Sequence, residues 1–370
     1  MLLRAVPEGS DLIKKLLLDH DPRPVYPQVW GGPNTIARAL KSIQDQYSGT
    51  PQWSKTHERV SKKAVILASG LQDHTYADYI APNWPDLRTE DLSAGYATWG
   101  YNCNWSGKGN TRGLPGDEKY FEGAWTKQNI QIGPLGSLYR SWLDGQAMPG
   151  DPADIFGDPE LAKNGWCPPL SAYDFLSEGD NVAYLPLLDT GIQVPGDPNL
   201  GSLGGRAVRT STSSNLWTMV PTETDATGAG LPDYTTNRWE AAAQNDFAAR
   251  MQWTLSPGYR QANHAPYVGI LSTGKVQAVP GQVLKLRGVS ADPDRDGVKM
   301  HWWQYKEEGT YPGRAAVSGS DSATATVTVP ADARPGQTIS LILQGTDNGH
   351  FPLTRYARVM IHVVGSGHTG

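Results

Sequence analysis

Val25-Tyr26-Pro27-Gln28-Val29-Trp30 is followed by Gly31-Gly32-Pro33-Asn34-Thr35, and further on by Ala64-Val65-Ile66-Leu67-Ala68. The first run reads as a strand and the second as a turn that opens a helix over residues 35–46. The third is a continuous apolar run of the kind buried on both faces of a parallel sheet. Pro27 is at odds with a central place in that sheet, because it brings no N–H to a ladder. Another helix is expected over residues 11–19, where Leu12, Ile13, Leu16 and Leu17 recur at helical spacing behind Ser10 and Asp11. Alternating strands and helices make an α/β sheet, and the ligand sites of such sheets gather at the carboxyl ends of the strands. Those ends carry Asn34 and Thr35 after the first strand, and Gln72, Asp73 and His74 after the second.

Residues 102–123 and 145–169 are rich in Gly, Pro and Asp and read as long loops over the scaffold. Glu178-Gly179-Asp180 stands just before the apolar run of residues 182–188, and residues 239–257 read as a helix with Asn245 and Asp246 set into its length. After His264 the pattern changes. Short alternating runs at 283–289, 298–306, 323–329, 338–346 and 355–364, separated by Gly, Pro and Asp turns, predict a β-sandwich of immunoglobulin-like size. The chain therefore divides into an α/β domain over residues 1–263 and an immunoglobulin-like β-sandwich over residues 264–370. In the last run Ala357, Val359, Ile361 and Val363 share the core face. In the second, Trp302 belongs to the core, while Trp303 and Tyr305 share the opposite face. That face has two readings: an outward platform on which sugar rings stack, or a patch packed against the α/β domain.

A hydrophobic content of 38% over 370 residues is ample for ordinary cores. The net charge of -5 and the absence of a basic stripe speak against a nucleic-acid partner. No apolar run approaches the roughly 18 residues of a membrane-spanning helix. The opening Met1-Leu2-Leu3-Arg4-Ala5-Val6-Pro7-Glu8 is too short and too early in its acid for a secretion signal, so the compartment is not legible from it. Cys103 and Cys167 lie in loop-rich stretches, where one disulfide and two free thiols are both open readings. Thirteen tryptophans stand out, since indole faces suit sugar rings as well as cores. Two motifs are set aside. Residues 269–275 have the spacing of a phosphate-binding loop, but Val276 replaces the required Ser or Thr and a strand follows. Asp292, Asp294, Asp296 and Gly297 imitate the opening of an EF-hand, but Trp303 stands where its Glu belongs and no helices flank it, so the segment reads as a turn before a strand. Serine-hydrolase elbows, Cys-x-x-Cys pairs and His-Glu-x-x-His helices do not occur.

Taken in order, several segments resemble one known family. They are the Gly31 turn and its helix, Glu178-Gly179-Asp180, Gly204-Gly205-Arg206, residues 244–253, Asp292-Pro293-Asp294 and Trp302-Trp303-Gln304-Tyr305. The family is that of cellulose-binding proteins with a nucleoside-hydrolase-like domain followed by an immunoglobulin-like C-terminal domain. The resemblance implies a Rossmann-like sheet, a carbohydrate or glycoside ligand and an extracellular setting. Through the related nucleoside hydrolases it also implies calcium held by aspartates, a backbone carbonyl and sugar hydroxyls, with an aspartate activating water. Asn34 is similar to the residue that gives the carbonyl and Asp246 to the late aspartate ligand, so these two are the expected metal ligands. Asp246 and Asp73 are the catalytic candidates; Asn34, Glu178, Asp180, Asn245, Trp303 and Tyr305 are the substrate-binding candidates.

Three departures qualify the hydrolase reading. Asn245 stands where those enzymes carry a histidine, Asp180 where they carry an asparagine that contacts the sugar, and no aspartate-rich first strand precedes residue 24. The sheet is thus expected to be incomplete, short of inner strands. The expected function is binding of a cellulose-like polysaccharide on a glycosidase-like scaffold, with hydrolysis weak or absent. The alternative is an active calcium-dependent hydrolase of glycosidic or N-glycosidic bonds. Plain readings stand beside both: Asp246 as a cap within a broken helix, Asn34 as a turn and cap residue, and Asp73 and Glu178 as loop or capping carboxylates.

Overall fold

Helix α1, Glu8–Leu18, leads to a short strand β1, Gln28–Val29, and then to helices α2, Asn34–Tyr47, and α3, Trp53–Lys63, before strand β2, Val65–Ala68. The computed structural model describes residues 8–95, 118–141, 143, 172–173, 178–194, 196–271 and 276–365. Cys103 and Cys167 lie outside the described residues, as do the loop stretches 102–117 and 145–169. The expected strand over residues 25–30 is cut down to β1 and an isolated bridge from Val25 to Ala64. Pro27 is the reason: its carbonyl accepts from the Leu67 N–H at 3.0 Å, but it has no N–H to return. The strand accordingly sits at the edge of its sheet. The first helix starts earlier than expected, so Ser10 lies inside α1 and buried.

Strands β3, Arg88–Asp91, β4, Ala207–Arg209, and β5, Leu216–Met219, complete a five-stranded sheet in the order β1-β2-β3-β5-β4, parallel except for β4. Alternation along β2 sends Ile66 and Ala68 into a core with Leu17, Ile36, Leu40, Ile43 and Val60 of the three helices. Leu67 points the other way, beside its register partner Glu90, into a cavity of about 320 Å³. Strand β3 carries four polar residues, yet Thr89 and Glu90 are buried, and Glu90 pairs with Arg88 at 2.9 Å.

A small hairpin of β6, Glu223–Thr224, and β7, Gly230–Leu231, precedes the helix Glu240–Trp253. The C-terminal part holds two four-stranded sheets. One runs β12 (Ala316–Ser318), β13 (Thr324–Thr328), β10 (Val283–Ala291) and β8 (Tyr267–Ile270); the other runs β11 (Lys299–Gln304), β14 (Thr338–Thr346), β15 (Thr354–Val363) and β9 (Val276–Ala278). Between them lies one core of Leu286, Trp302, Val327, Leu341, Leu343, Val359, Ile361 and Val363. The expected core faces of the 298–306 and 355–364 runs are thus the observed ones.

The outer face of the second sheet does not meet water. It packs on the α/β part, with Tyr305, Ile342 and Tyr356 joining Leu185, Ile192, Leu203 and Trp239 in a shared cluster. The Tyr356 N–H donates to the Thr190 carbonyl at 2.8 Å, so the contact includes a backbone bond. Of the two readings given to the Trp303–Tyr305 face, domain packing is the one realised at Tyr305, whose ring is fully buried.

Candidate functional site

The candidate residues fall into separate groups. Asn34 opens α2, and its N–H donates to Asp73 Oδ2 at 3.2 Å, while Asp73 Oδ1 accepts from the Thr75 N–H at 2.8 Å and from the Thr75 hydroxyl. Asp73 thereby ties down two chain starts. Gly32 makes the approach feasible, because a Cβ there would sit 2.0 Å from Asp73 Oδ2. Trp30, just upstream, is 54% exposed and faces Tyr184 with ring centroids 6.5 Å apart.

Glu178 forms the second group. It accepts from the Asn181 side-chain amide at 2.5 Å, and Gln244 of the Glu240–Trp253 helix lies close to it. Burial outweighs that bond and pushes its carboxyl up to about 8, toward the protonated form. The Tyr184 phenol is raised too, first by burial and then by the nearby Glu178 charge. Asp180, two residues on, has a buried Oδ1 without a hydrogen-bond partner among the described residues.

Asn245 and Asp246 are neighbours on the helix but part company. Asn245 Oδ1 accepts from the Tyr120 hydroxyl at 2.9 Å. Asp246 is clamped by Arg250 one turn on, and by Arg355 Nη2 of β15 at 2.9 Å. These contacts bear on the implied calcium. A divalent cation at Asp246 would meet a guanidinium on each carboxylate oxygen, and at Asp73 both oxygens already serve as acceptors for Asn34 and Thr75. Like charges at such range repel strongly, so this donor set does not fit the ion.

Asn245 and Trp303 do come together. They line a groove of about 460 Å³ between the Glu240–Trp253 helix and the outer face of β11, β14 and β15. One wall is aromatic and rigid: the Arg238 guanidinium lies 4.8 Å over the Trp303 ring, 4.7 Å over Tyr234 and 4.4 Å over Tyr305. Arg238 is in turn held by Glu223, at 3.1 Å, which also accepts from Arg206 at 2.7 Å and from the Tyr305 hydroxyl at 3.0 Å. Beside Trp303 the same sheet offers an amide and hydroxyls, from Gln344, Thr346 and Thr354, and the helix side supplies the Asn245 amide. Tyr305 thus supports the groove from beneath and presents no open ring face, which corrects its expected part in a stacking platform. Arg238 and Tyr234 were not foreseen. Their i, i+4 spacing ahead of Trp239 is visible in sequence, but their pairing with Trp303 is a long-range contact that no local pattern encodes.

Fold and groove define a class, a nucleoside-hydrolase-like α/β domain joined through a buried face to a strand-rich C-terminal domain. Residues 3–207 match the family model described as cellulose-binding Sde182, nucleoside hydrolase-like domain, and residues 285–363 match that of the cellulose-binding protein Sde0182, C-terminal domain. The first match spans more than half of the chain, and the chain belongs to this family. Among solved structures it is similar to a nucleoside hydrolase-related hypothetical protein from Saccharophagus degradans that is associated with carbohydrate metabolism. Identity there is 26% and the TM-score 0.67, covering 96% of this chain and 75% of that one. The PKD domain of the KIAA 1837 protein aligns over 27% of this chain and 92% of that one, at 16% identity and a TM-score of 0.20. No curated protein matches the chain. No helix among the described residues is long and apolar enough to cross a membrane.

Proposed function

We propose that this protein binds a neutral, cellulose-like polysaccharide in the groove between the Glu240–Trp253 helix and the C-terminal sheet, with hydrolysis weak or absent. The groove itself supports this reading: Trp303 is held by Arg238, with amide and hydroxyl side chains of the same sheet beside it and Asn245 on the helix side. Sugar rings present apolar faces and equatorial hydroxyls, which call for that pairing of aromatic surface and neutral hydrogen-bond partners. Membership of a family named for cellulose binding supports the same ligand class. The two-sheet C-terminal domain, antiparallel except where β9 pairs with β15, is on this reading immunoglobulin-like, with Trp302 in its core, and serves as half of the binding surface. Retention on insoluble cellulose tests the proposal. Trp303→Ala is expected to weaken it about tenfold or more, equivalent to about 1.4 kcal/mol, in a variant that circular dichroism shows to be folded. Undiminished retention in a folded variant would refute it.

One observation favours a second reading, glycoside or N-glycoside hydrolysis. The Glu178 carboxyl is pushed up to about 8 by burial, toward the protonated state required of a general acid at a glycosidic oxygen. Aryl glycosides and nucleosides, assayed with wild type and Glu178→Gln, decide it: turnover lost in the variant supports catalysis, and no turnover in either retires it.

A further inference from the structure

Asp292, Asp294 and Asp296 lie in the turn between β10 and β11, and the structure brings their carboxylates together, with ligand atoms all within 4.8 Å of one another. Among the described residues no lysine or arginine forms an ion pair with them; Asp294 alone has a partner, His264, at 3.1 Å. Three such charges repel one another unless something positive lies between them. Asp292 Oδ1 accepts the backbone N–H groups of Asp294 and Asp296, at 2.8 and 3.0 Å, which shapes the turn, while Asp292 Oδ2 is buried without a partner.

A second observation comes from outside the cluster. Asn263, in the segment that joins the two domains, is only 9% exposed. Its amide nitrogen is committed to the Phe351 carbonyl at 2.7 Å and to both Asp347 oxygens at 3.3 Å, whereas its Oδ1 is buried with no partner. Asn263 lines the same groove as Asp294, Asp296 and Gly349. The donors in question are all oxygens, from carboxylates and a carboxamide, which is a set for a hard cation of flexible coordination and not for zinc or copper.

We propose that the Asp292-Asp294-Asp296 turn and Asn263 form a calcium site at the junction of the two domains. It is not an EF-hand, since β10 and β11 flank the turn where that motif has helices. His264 accounts for the orientation of one ligand, with its N–H donating to Asp294 Oδ2 at 2.6 Å and its Nδ1 at 3.1 Å from the same oxygen. The ion would pin the segment at Asn263 and His264 to the first turn of the C-terminal sheets. The site uses none of the residues that the nucleoside-hydrolase resemblance assigns to a metal, and it does not rest on the carbohydrate reading.

Terbium substitutes for calcium and emits when an excited aromatic ring is near. Tyr259 and Trp253 stack on His264, with centroids 3.6 and 5.3 Å away, and supply that antenna. The full chain is expected to give sensitised terbium emission that calcium displaces, and millimolar calcium should raise its melting temperature by a few degrees. Asp296→Asn removes a carboxylate that makes no hydrogen bond to a described residue, so the variant should fold, and it should lower calcium affinity about tenfold or more. Asp321→Asn, at an exposed carboxylate beside His301, should leave the response intact. Absence of both emission and a thermal shift in the wild type would overturn the site, as would an equal response in Asp296→Asn. Cellulose retention measured on the same samples reports separately on the groove.

Discussion

Glu223 accepts from Arg206, Arg238, Thr235 and Tyr305 while wholly removed from water, and it is the residue that fixes the groove wall. Breaking such a pair leaves uncompensated buried charge, which costs far more than the pair itself contributes. Glu223→Ala should therefore lower unfolding stability by about 3–5 kcal/mol in urea, and a loss below about 1 kcal/mol would show that Arg206 and Arg238 find other partners. Glu178 and Glu308 act on pH dependence. Burial raises the first to about 8 and the second to about 7, the latter against the pull of Arg358. An acid whose folded pKa exceeds its unfolded value binds more protons when folded across that interval, so stability falls as pH rises from about 4.5 to about 8. Urea midpoints across that range should decline, and Glu178→Gln should flatten the decline.

Among the elements, those with a strong apolar period were legible. The helix after Gly31-Gly32-Pro33, the run ending at Ala68 and the alternation of β11 and β15 follow directly from side-chain spacing. Strand β3 was not, because Arg88-Thr89-Glu90-Asp91 has no hydrophobic signal and is held by its ladders to β2 and β5. For the same reason the site was only partly legible. Asn245 and Trp303 meet in one groove, but Asp246 is claimed by Arg355, a partner 109 residues away whose approach no local pattern foretells. Gly191 shows the junction at element scale. Its φ is +86°, and a Cβ there would lie 2.0 Å from the Tyr356 carbonyl oxygen, beside the Thr190–Tyr356 backbone bond. Gly191→Ala should cost about 1–3 kcal/mol in thermal unfolding, through both the left-handed backbone and the forced separation of the domains.

The whole molecule is two domains that share a core. Tyr305, Ile342 and Tyr356 pack with Leu185, Leu203 and Trp239, and Arg358 donates across the boundary to the carbonyls of Ile192 and Leu200. Such an interface couples the two parts, so a calorimetric scan should show one transition; two resolved transitions would mean that the domains unfold independently. That coupling gives the groove fixed walls, since each domain supplies one of them. Hydrogen exchange with and without a soluble cello-oligosaccharide tests this most directly. Slowed exchange is expected only in residues 238–245, 301–304 and 344–356; slowing around residues 178–193 instead, with the groove segments unaffected, would refute binding in the groove.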